Sequence, residues 1–401
     1  ATNGDEIMFV DFDRTWGTNS IEIDSNGLNY QGDADTSIVE YSTDGQNVLI
    51  VYSDATKGWI PTLDQTVEDV PVVLKEGIFG FGLNAATADV GVTNLVSTAG
   101  VVATDTAAVG TARDGLGACE YGGDKGIFGF GRLIGAANQN ITNLVSNTGV
   151  VATDTAGVGT ARRLIAACSY GSDKGIFGFG HTGSYTGITN LVSNTGVVAT
   201  DVAAVGTARA DCAACEYGTD TAIFGYGHDP VPATYVTLTN LVSNTGVVAT
   251  DVSGVGTARG YLAACAYGTD KGVFGYGNSS GGDTAVTNLV SNTGVVASDV
   301  SGVGTGRQDL AACEYGGDKG IFGYGYPGSA TAVSNLVSNT GVVASDVSGV
   351  GTARYQLAAC GFGGDKGIFG FGTTGSATAV TNLVSNAGVV ATDTSGVGTA
   401  R

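Results

Sequence analysis

One motif recurs along most of the chain and limits what it can fold into. The Phe of Gly-Ile/Val-Phe-Gly-Phe/Tyr-Gly stands at Phe79, Phe128, Phe177, Phe224, Phe274, Phe322 and Phe369, with successive spacings of 49, 49, 47, 50, 48 and 47 residues. Between the Gly that ends this motif and the next Thr/Ser-Asn-Leu-Val-Ser lie 10, 10, 8, 11, 9 and 8 residues, and subtracting these from the spacings leaves 39 every time. All length variation therefore falls in one loop per copy. A chain that tolerates insertion at a single joint is a packed scaffold with a free loop on one side.

Composition narrows the scaffold. With Gly at 67 of 401 positions, long helices are disfavoured, because each interior Gly costs about 1 kcal/mol. With 43% hydrophobic and 13% charged residues, disorder is disfavoured too. Each copy reads as four short strands: Leu310 to Gly316, a Gly-Asp-Lys-Gly turn, Ile321 to Gly325, Ser334 to Ser338, and Val342 to about Val347. Four strands in 47 to 50 residues, seven times over, predict an all-β fold: a seven-bladed β-propeller with four-stranded blades. A β-helix has much shorter repeats. The small Ala-Ala-Cys side chains suit a strand crowded near a propeller axis.

The units resemble kelch repeats, on the Arg before an apolar strand (Arg307, then Leu310 to Tyr315) and the following strand that ends in glycines (Gly323, Gly325). They depart from kelch in having Gly-Tyr/Phe-Gly for the double glycine and no Trp in the fourth strand. Seven Phe-Gly strands meet only six Ala-Ala-Cys strands, so the first blade is expected to take its missing strand from Val70 to Leu74. Gly398 to Arg401 would then close the circle.

Residues 1–69 carry no repeat and are expected to form a small β-rich attachment and oligomerisation module, with 70–401 as the propeller. Strand candidates are Ile7 to Phe12, Ser20 to Ile23, Ser37 to Tyr41 and Asn47 to Tyr52, with hairpin turns at Asn26-Gly27 and Asp44-Gly45. Through Lys75 there are 14 acidic and 3 basic residues, a net of −11; the remainder carries 23 and 14, a net of −9. So small a core is marginal alone and favours a partner copy. The chain begins at Ala1 with no charged-then-apolar targeting segment, which suggests a processed chain or one lacking upstream sequence.

The run Asn26-Gly-Leu-Asn-Tyr-Gln-Gly32, with Val48 to Ser53 and Thr56 to Pro61, resembles a short β-module of tail-fibre-like virion proteins of tailed bacteriophages, the marine and cyanobacterial phages especially. Asn-Leu-Val-Ser-Asn-Thr-Gly-Val-Val-Ala-Thr/Ser-Asp with Lys-Gly-Ile-Phe-Gly-Tyr-Gly resembles an array in the same proteins. That resemblance implies a protein made in the host cytoplasm and carried on the virion. It also implies other virion proteins and a host-surface glycan or protein as partners, and a homo-oligomer through the N-terminal module.

Among the copies, the loops after the Phe-Gly strands and the residues after each Arg differ most, while the opposite turns barely change. Divergence gathered on one face predicts a recognition surface. Its candidate binding residues are His181, Tyr185, His228, Tyr235, Tyr261, Tyr326 and Tyr355, rings with polar tips that suit sugar or protein surfaces. The once-per-blade arginines Arg113, Arg162, Arg209, Arg259, Arg307, Arg354 and Arg401 are expected to be structural, bonding carbonyls or a carboxylate within or between blades. Asp105, Asp154, Asp201, Asp251, Asp299, Asp346 and Asp393 are candidate turn caps or arginine partners. Seven Cys, six at equivalent positions, suggest buried free thiols rather than disulfides. A net charge of −20 argues against duplex nucleic acid, and no run of 18 apolar residues inserts in a membrane. Two His residues, the absence of a repeated Ser-His-Asp order and the absence of a singular acidic pair lead to the expectation of no metal, no cofactor and no enzymatic activity.

Overall fold

A computed structural model describes residues 1–33, 39–66, 75–229 and 234–401. Every regular element among them is a β-strand, so the chain is all-β. No helix is long and apolar enough to cross a membrane. The chain divides into two compact parts, Ala1–Val73 and Leu74–Arg401.

In the N-terminal part, β1 (Glu6–Val10), β2 (Ile21–Ile23), β3 (Val39–Tyr41), β4 (Gln46–Asp54) and β5 (Gly58–Thr66) form an antiparallel sheet in the order β1-β4-β5 and a β2–β3 hairpin. Strict alternation along β4 buries Val48, Ile50 and Tyr52 on one face, where they meet Trp16, Tyr30 and Trp59. The other face leaves Leu49 and Val51 half-buried beside Met8 and Val10, which are 56% and 49% exposed. Strand β5 is absent from the sequence-based expectation. It carries Pro61, which lies on an edge strand beside a register shift at Leu49/Ile50, where a missing N–H costs little.

The second part is built from seven repeats. Repeat 1 contributes β6 (Gly77–Leu83) and β7 (Asp89–Val96). Each of the other six contributes a three-stranded antiparallel sheet; in repeat 6 these strands are Ala311–Tyr315, Lys319–Gly323 and Ser334–Val337. The segment expected to give repeat 1 its missing strand, Val70 to Leu74, lies outside the described residues. The fourth strand is corrected. Val342 to Val347 makes two isolated bridges, Val337↔Val343 and Ser334↔Val347, rather than a ladder. Between the two bridges stands Asp346, whose carboxylate accepts from the side chain of Asn335 and from the N–H and hydroxyl of Thr305.

Two glycines per repeat record how closely neighbours approach. A Cβ on Gly320 would lie 2.6 Å from Sγ of Cys265 in the preceding repeat, and one on Gly275 would lie 2.7 Å from the ring of Phe322 in the next. The six equivalent thiols stand at these joints, and all seven cysteines are free. Burial pushes the Cys119 thiol up to about 12.

The recurrent arginines hold the same joints. Arg307 is fully buried. Its Nε donates to the carbonyl of Tyr324 (2.6 Å), Nη1 to that of Thr305 (2.9 Å) and Nη2 to Asn335 Oδ1 (2.8 Å). Its guanidinium lies 4.1 Å from the ring centre of Tyr276 in the preceding repeat. All seven arginines stack on the equivalent ring, from Phe81 to Phe371. Those seven aromatic residues share a left-handed backbone, φ 61° to 64°. A non-glycine residue there costs about 1–2 kcal/mol, which the cation–π contact offsets, helped at Phe130, Phe179 and Tyr324 by a hydrogen bond from an arginine Nε to the carbonyl.

The series returns on itself. Each left-handed ring meets the Phe of the next repeat edge-on, from Phe81–Phe128 through Tyr324–Phe369, and Phe371 meets Phe79 of repeat 1 at 5.3 Å. Thr399 donates to Asp105, 294 positions earlier, as Thr305 does to Asp346. In these clamps burial alone would raise the aspartates, but hydrogen bonds from Thr and Asn outweigh it and hold them below the usual carboxylate range.

Candidate functional site

The two variable segments of each repeat meet at one end of its sheet. The residue after each arginine bridges to the first residue of the variable loop: Asp114↔Arg132, Arg163↔His181, Ala210↔His228, Gly260↔Asn278, Gln308↔Tyr326 and Tyr355↔Thr373. The turn that delivers the loop needs glycine. Gly227 has φ +112°, and a Cβ there would lie 2.7 Å from the carbonyl of Ala210.

The following residues, Leu164, Asp211, Tyr261, Asp309 and Gln356, all take a left-handed backbone. They link repeat to repeat: Tyr261 N–H donates to the Asp211 carbonyl (3.2 Å), Asp309 N–H to that of Tyr261 (3.1 Å) and Gln356 N–H to that of Asp309 (2.9 Å).

Neighbouring loops are cross-linked as well. The Tyr185 hydroxyl lies 3.0 Å from His228 Nδ1, and the Tyr235 hydroxyl donates to Asn278 Oδ1 at 2.8 Å. Asn278 is held from its other side through Asp283 (2.8 Å). Rings follow one another edge-on from His181 to Tyr185 (5.3 Å), His228 (5.6 Å) and Tyr235 (5.5 Å). Tyr261, 38% exposed, stands beside this arc with its N–H on the Asp211 carbonyl. Burial pushes the Asp211 carboxyl up to about 6; His228 and Tyr261 pull it down, and Asp309 raises it further.

Of the seven candidate residues, His181, Tyr185, His228 and Tyr235 thus form one arc with Tyr261 at its side. Tyr326 and Tyr355 form a separate pair, ring centres 4.8 Å apart. Asp211 and Asn278 are the residues that sequence reasoning missed. Both stand in segments marked as variable, but their partners come from adjacent repeats.

A second group of titratable side chains gathers on the first strands. Glu120, Glu216 and Glu314 occupy the same position in repeats 2, 4 and 6. All three residues are exposed at the surface, although protein crowds the Glu216 and Glu314 carboxyls. A cleft of about 220 Å³ runs past Glu216, Ala266 and Glu314. Burial and then the charges of Glu314 and Glu120 push the Glu216 carboxyl up to about 7, with Ser169 and Lys75 opposing.

No protein-family model matches the chain, and no curated protein matches it. Its repeat architecture is similar to known structures. One, described as the structure of YjhT, has TM-score 0.52 and 12% identity, covering 70% of this chain and 97% of that one. Another, a fungal alcohol oxidase of the AA5 family in complex with copper, has TM-score 0.55 and 13% identity, covering 74% of this chain and 67% of that one. At such identities the likeness speaks to fold alone. It nevertheless corrects the expectation of no enzymatic activity, since an alcohol oxidase is built on a similar fold. The described residues themselves do not assemble a copper site: no group of three or more His, Cys, Asp or Glu among them could hold a metal ion.

Proposed function

We propose that Leu74–Arg401 is a seven-bladed β-propeller of kelch-like topology whose variable end binds a glycan or protein on a host cell surface. In this reading the chain is a tail-fibre-like appendage protein of a tailed-phage virion. The observation that carries the binding reading is the joining of divergent segments into one constructed surface. The loops that differ most are hydrogen-bonded across repeats, at Tyr185–His228 and Tyr235–Asn278, while the opposite turns stay nearly identical. The contacts between repeats 7 and 1 support the closed arrangement. The virion assignment rests on the sequence resemblance. The test is adsorption of the labelled chain to a panel of bacterial outer surfaces: replacing Tyr261, Tyr326 and Tyr355 together with Ala should abolish it, and retained adsorption refutes the reading.

The constant end favours a second role, in assembly with other virion chains. Each repeat presents one valine there, Val101, Val150, Val197, Val247, Val295, Val342 and Val389, all 65% to 67% exposed. Seven identical apolar projections suit a partner that repeats the same contact. The uncovered apolar face of the N-terminal sheet, with Met8 and Val10, supports self-association through that part. Sedimentation of the full chain tests it: Met8→Glu with Val10→Lys should leave a monomer.

A further inference from the structure

The arc at the variable end runs past a carboxyl that lacks a basic partner. The Asp211 carbonyl accepts from the Tyr261 N–H (3.2 Å), its neighbour Ala210 bridges to His228, and the charge of its carboxylate is felt by Tyr185, Tyr235 and Tyr261 from three different segments. None of the ion pairs among the described residues reaches it. His228 is the nearby base, and Asp309 adds a second negative charge. A carboxylate offers about four acceptor positions, enough to receive the several N–H donors of an ammonium. The faces of tyrosine rings also favour a cation.

The same surface offers partners for hydroxyl groups. Tyr235, Asn278 and Asp283 form a held row of polar tips, and Tyr261 presents an accessible flat ring. An ammonium on a hydroxyl-rich ring satisfies both sets of groups; a bare hydrocarbon amine satisfies only the first.

Resting on the reading of the variable end as the binding face, we propose that Asp211, Tyr185, His228, Tyr235 and Tyr261 form a subsite for a saccharide unit bearing a free ammonium group. The carboxylate takes the ammonium, Tyr261 takes the flat face of the sugar, and Asn278 takes a hydroxyl.

The test is a titration of the full chain, followed by ligand-observed NMR at neutral pH, with D-glucosamine, D-glucose, N-acetyl-D-glucosamine and Nα-acetyl-L-lysine methylamide as probes. Glucosamine should bind roughly tenfold more tightly than each of the other three. Asp211→Asn should bring glucosamine down to the level of glucose, and Tyr261→Ala should weaken both sugars. Tyr326→Ala, in the separate pair, should change nothing. If Asp211→Asn does not fold, discrimination among the four probes by the unaltered chain decides alone. Glucosamine binding no better than glucose, no sugar binding, or lysine methylamide binding equally well would each overturn the proposal. Host adsorption separates this inference from the wider one. Adsorption that excess glucosamine does not inhibit refutes the subsite and leaves the binding face standing. Glucosamine binding without adsorption to any surface refutes the face as a host-recognition surface and leaves the subsite.

Discussion

Replacing Arg307 with Met puts the joint between repeats to a direct test. The guanidinium satisfies three acceptors: the Tyr324 carbonyl at 2.6 Å, the Thr305 carbonyl at 2.9 Å and Asn335 Oδ1 at 2.8 Å. Tyr324 and Asn335 are wholly buried, so water cannot replace the lost donors. Each stranded acceptor costs about 1–3 kcal/mol. Loss of the stack on Tyr276 adds about 0.5–2 kcal/mol, and release from burying a charge gives part of this back. The net expectation is a loss of about 3–5 kcal/mol, as for other buried charges stripped from their partners. Arg307→Lys should recover little of it, because a single ammonium cannot span three acceptors set around a planar fork. Arg259 supplies an internal control. Its Nε has no partner, and only Nη1 and Nη2 are bonded, to Thr257 and Asn288, so Arg259→Met should cost less than Arg307→Met. Urea unfolding of the full chain, followed by tyrosine fluorescence and far-UV circular dichroism together, reads all three. A loss under about 1 kcal/mol for Arg307→Met, or equal losses at 259 and 307, refutes the view that these hydrogen bonds hold the joint.

Four further outcomes follow from the same packing. Gly275→Ala should destabilise by about 1–3 kcal/mol, because its Cβ would sit 2.7 Å from the Phe322 ring, while Gly361→Ala, whose Cβ would meet only a carbonyl at 3.7 Å, should be tolerated; thermal melts distinguish them. Because Glu216 is raised from 4.5 to about 7, the folded chain binds more protons than the unfolded one across that window, so its contribution to stability falls as pH rises through it. Glu216→Gln should flatten melting temperature against pH there, and an unchanged profile refutes the crowding of Glu120, Glu216 and Glu314. The clamp aspartates work in the opposite sense: held low in the folded state, they stabilise above the usual carboxylate range, and that stability is lost as pH falls through and below about 4. Thiol labelling of the native chain should be slow at every cysteine and become complete on unfolding, since burial raises each of these thiols.

The all-β class, the seven copies and the loop where length changes fall were all legible in the sequence, because the packing that repeats also repeats in residue type. The strands themselves were read less well. Strand β5 was hidden by Pro61, which sequence rules steer away from strands unless the edge position is known. The fourth strand of each copy has strand-like residues, Val-Val-Ala-Ser-Asp, but its geometry is set by what Asp346 grips in the preceding linker, a partner 41 positions away. The left-handed backbone of Phe81 and its six equivalents left no signature, because aromatic residues ordinarily avoid it. Only the stacked arginine, buried across a joint, accounts for it. Asp211 was visible as a variable residue, yet its surroundings come from Tyr185, Tyr235 and Tyr261 in other loops and linkers.

The division between constant and variable positions has a physical origin in this arrangement. A joint residue such as Phe322 or Arg307 touches two repeats at once, so a change there fails unless the neighbour changes with it, and every copy keeps the same solution. The loops carry no such burden from the core, and drift alone would leave them as separate solvated tips. They are not separate. Asn138 donates to the His181 carbonyl, Tyr185 meets His228, and Tyr235 donates to Asn278, three successive junctions bridged in the same direction by three different chemistries. A link to a backbone carbonyl survives any substitution at 181, but the other two links depend on a matched pair of side chains. Matched pairs at positions free to vary support the proposed binding face, because independent drift would break them.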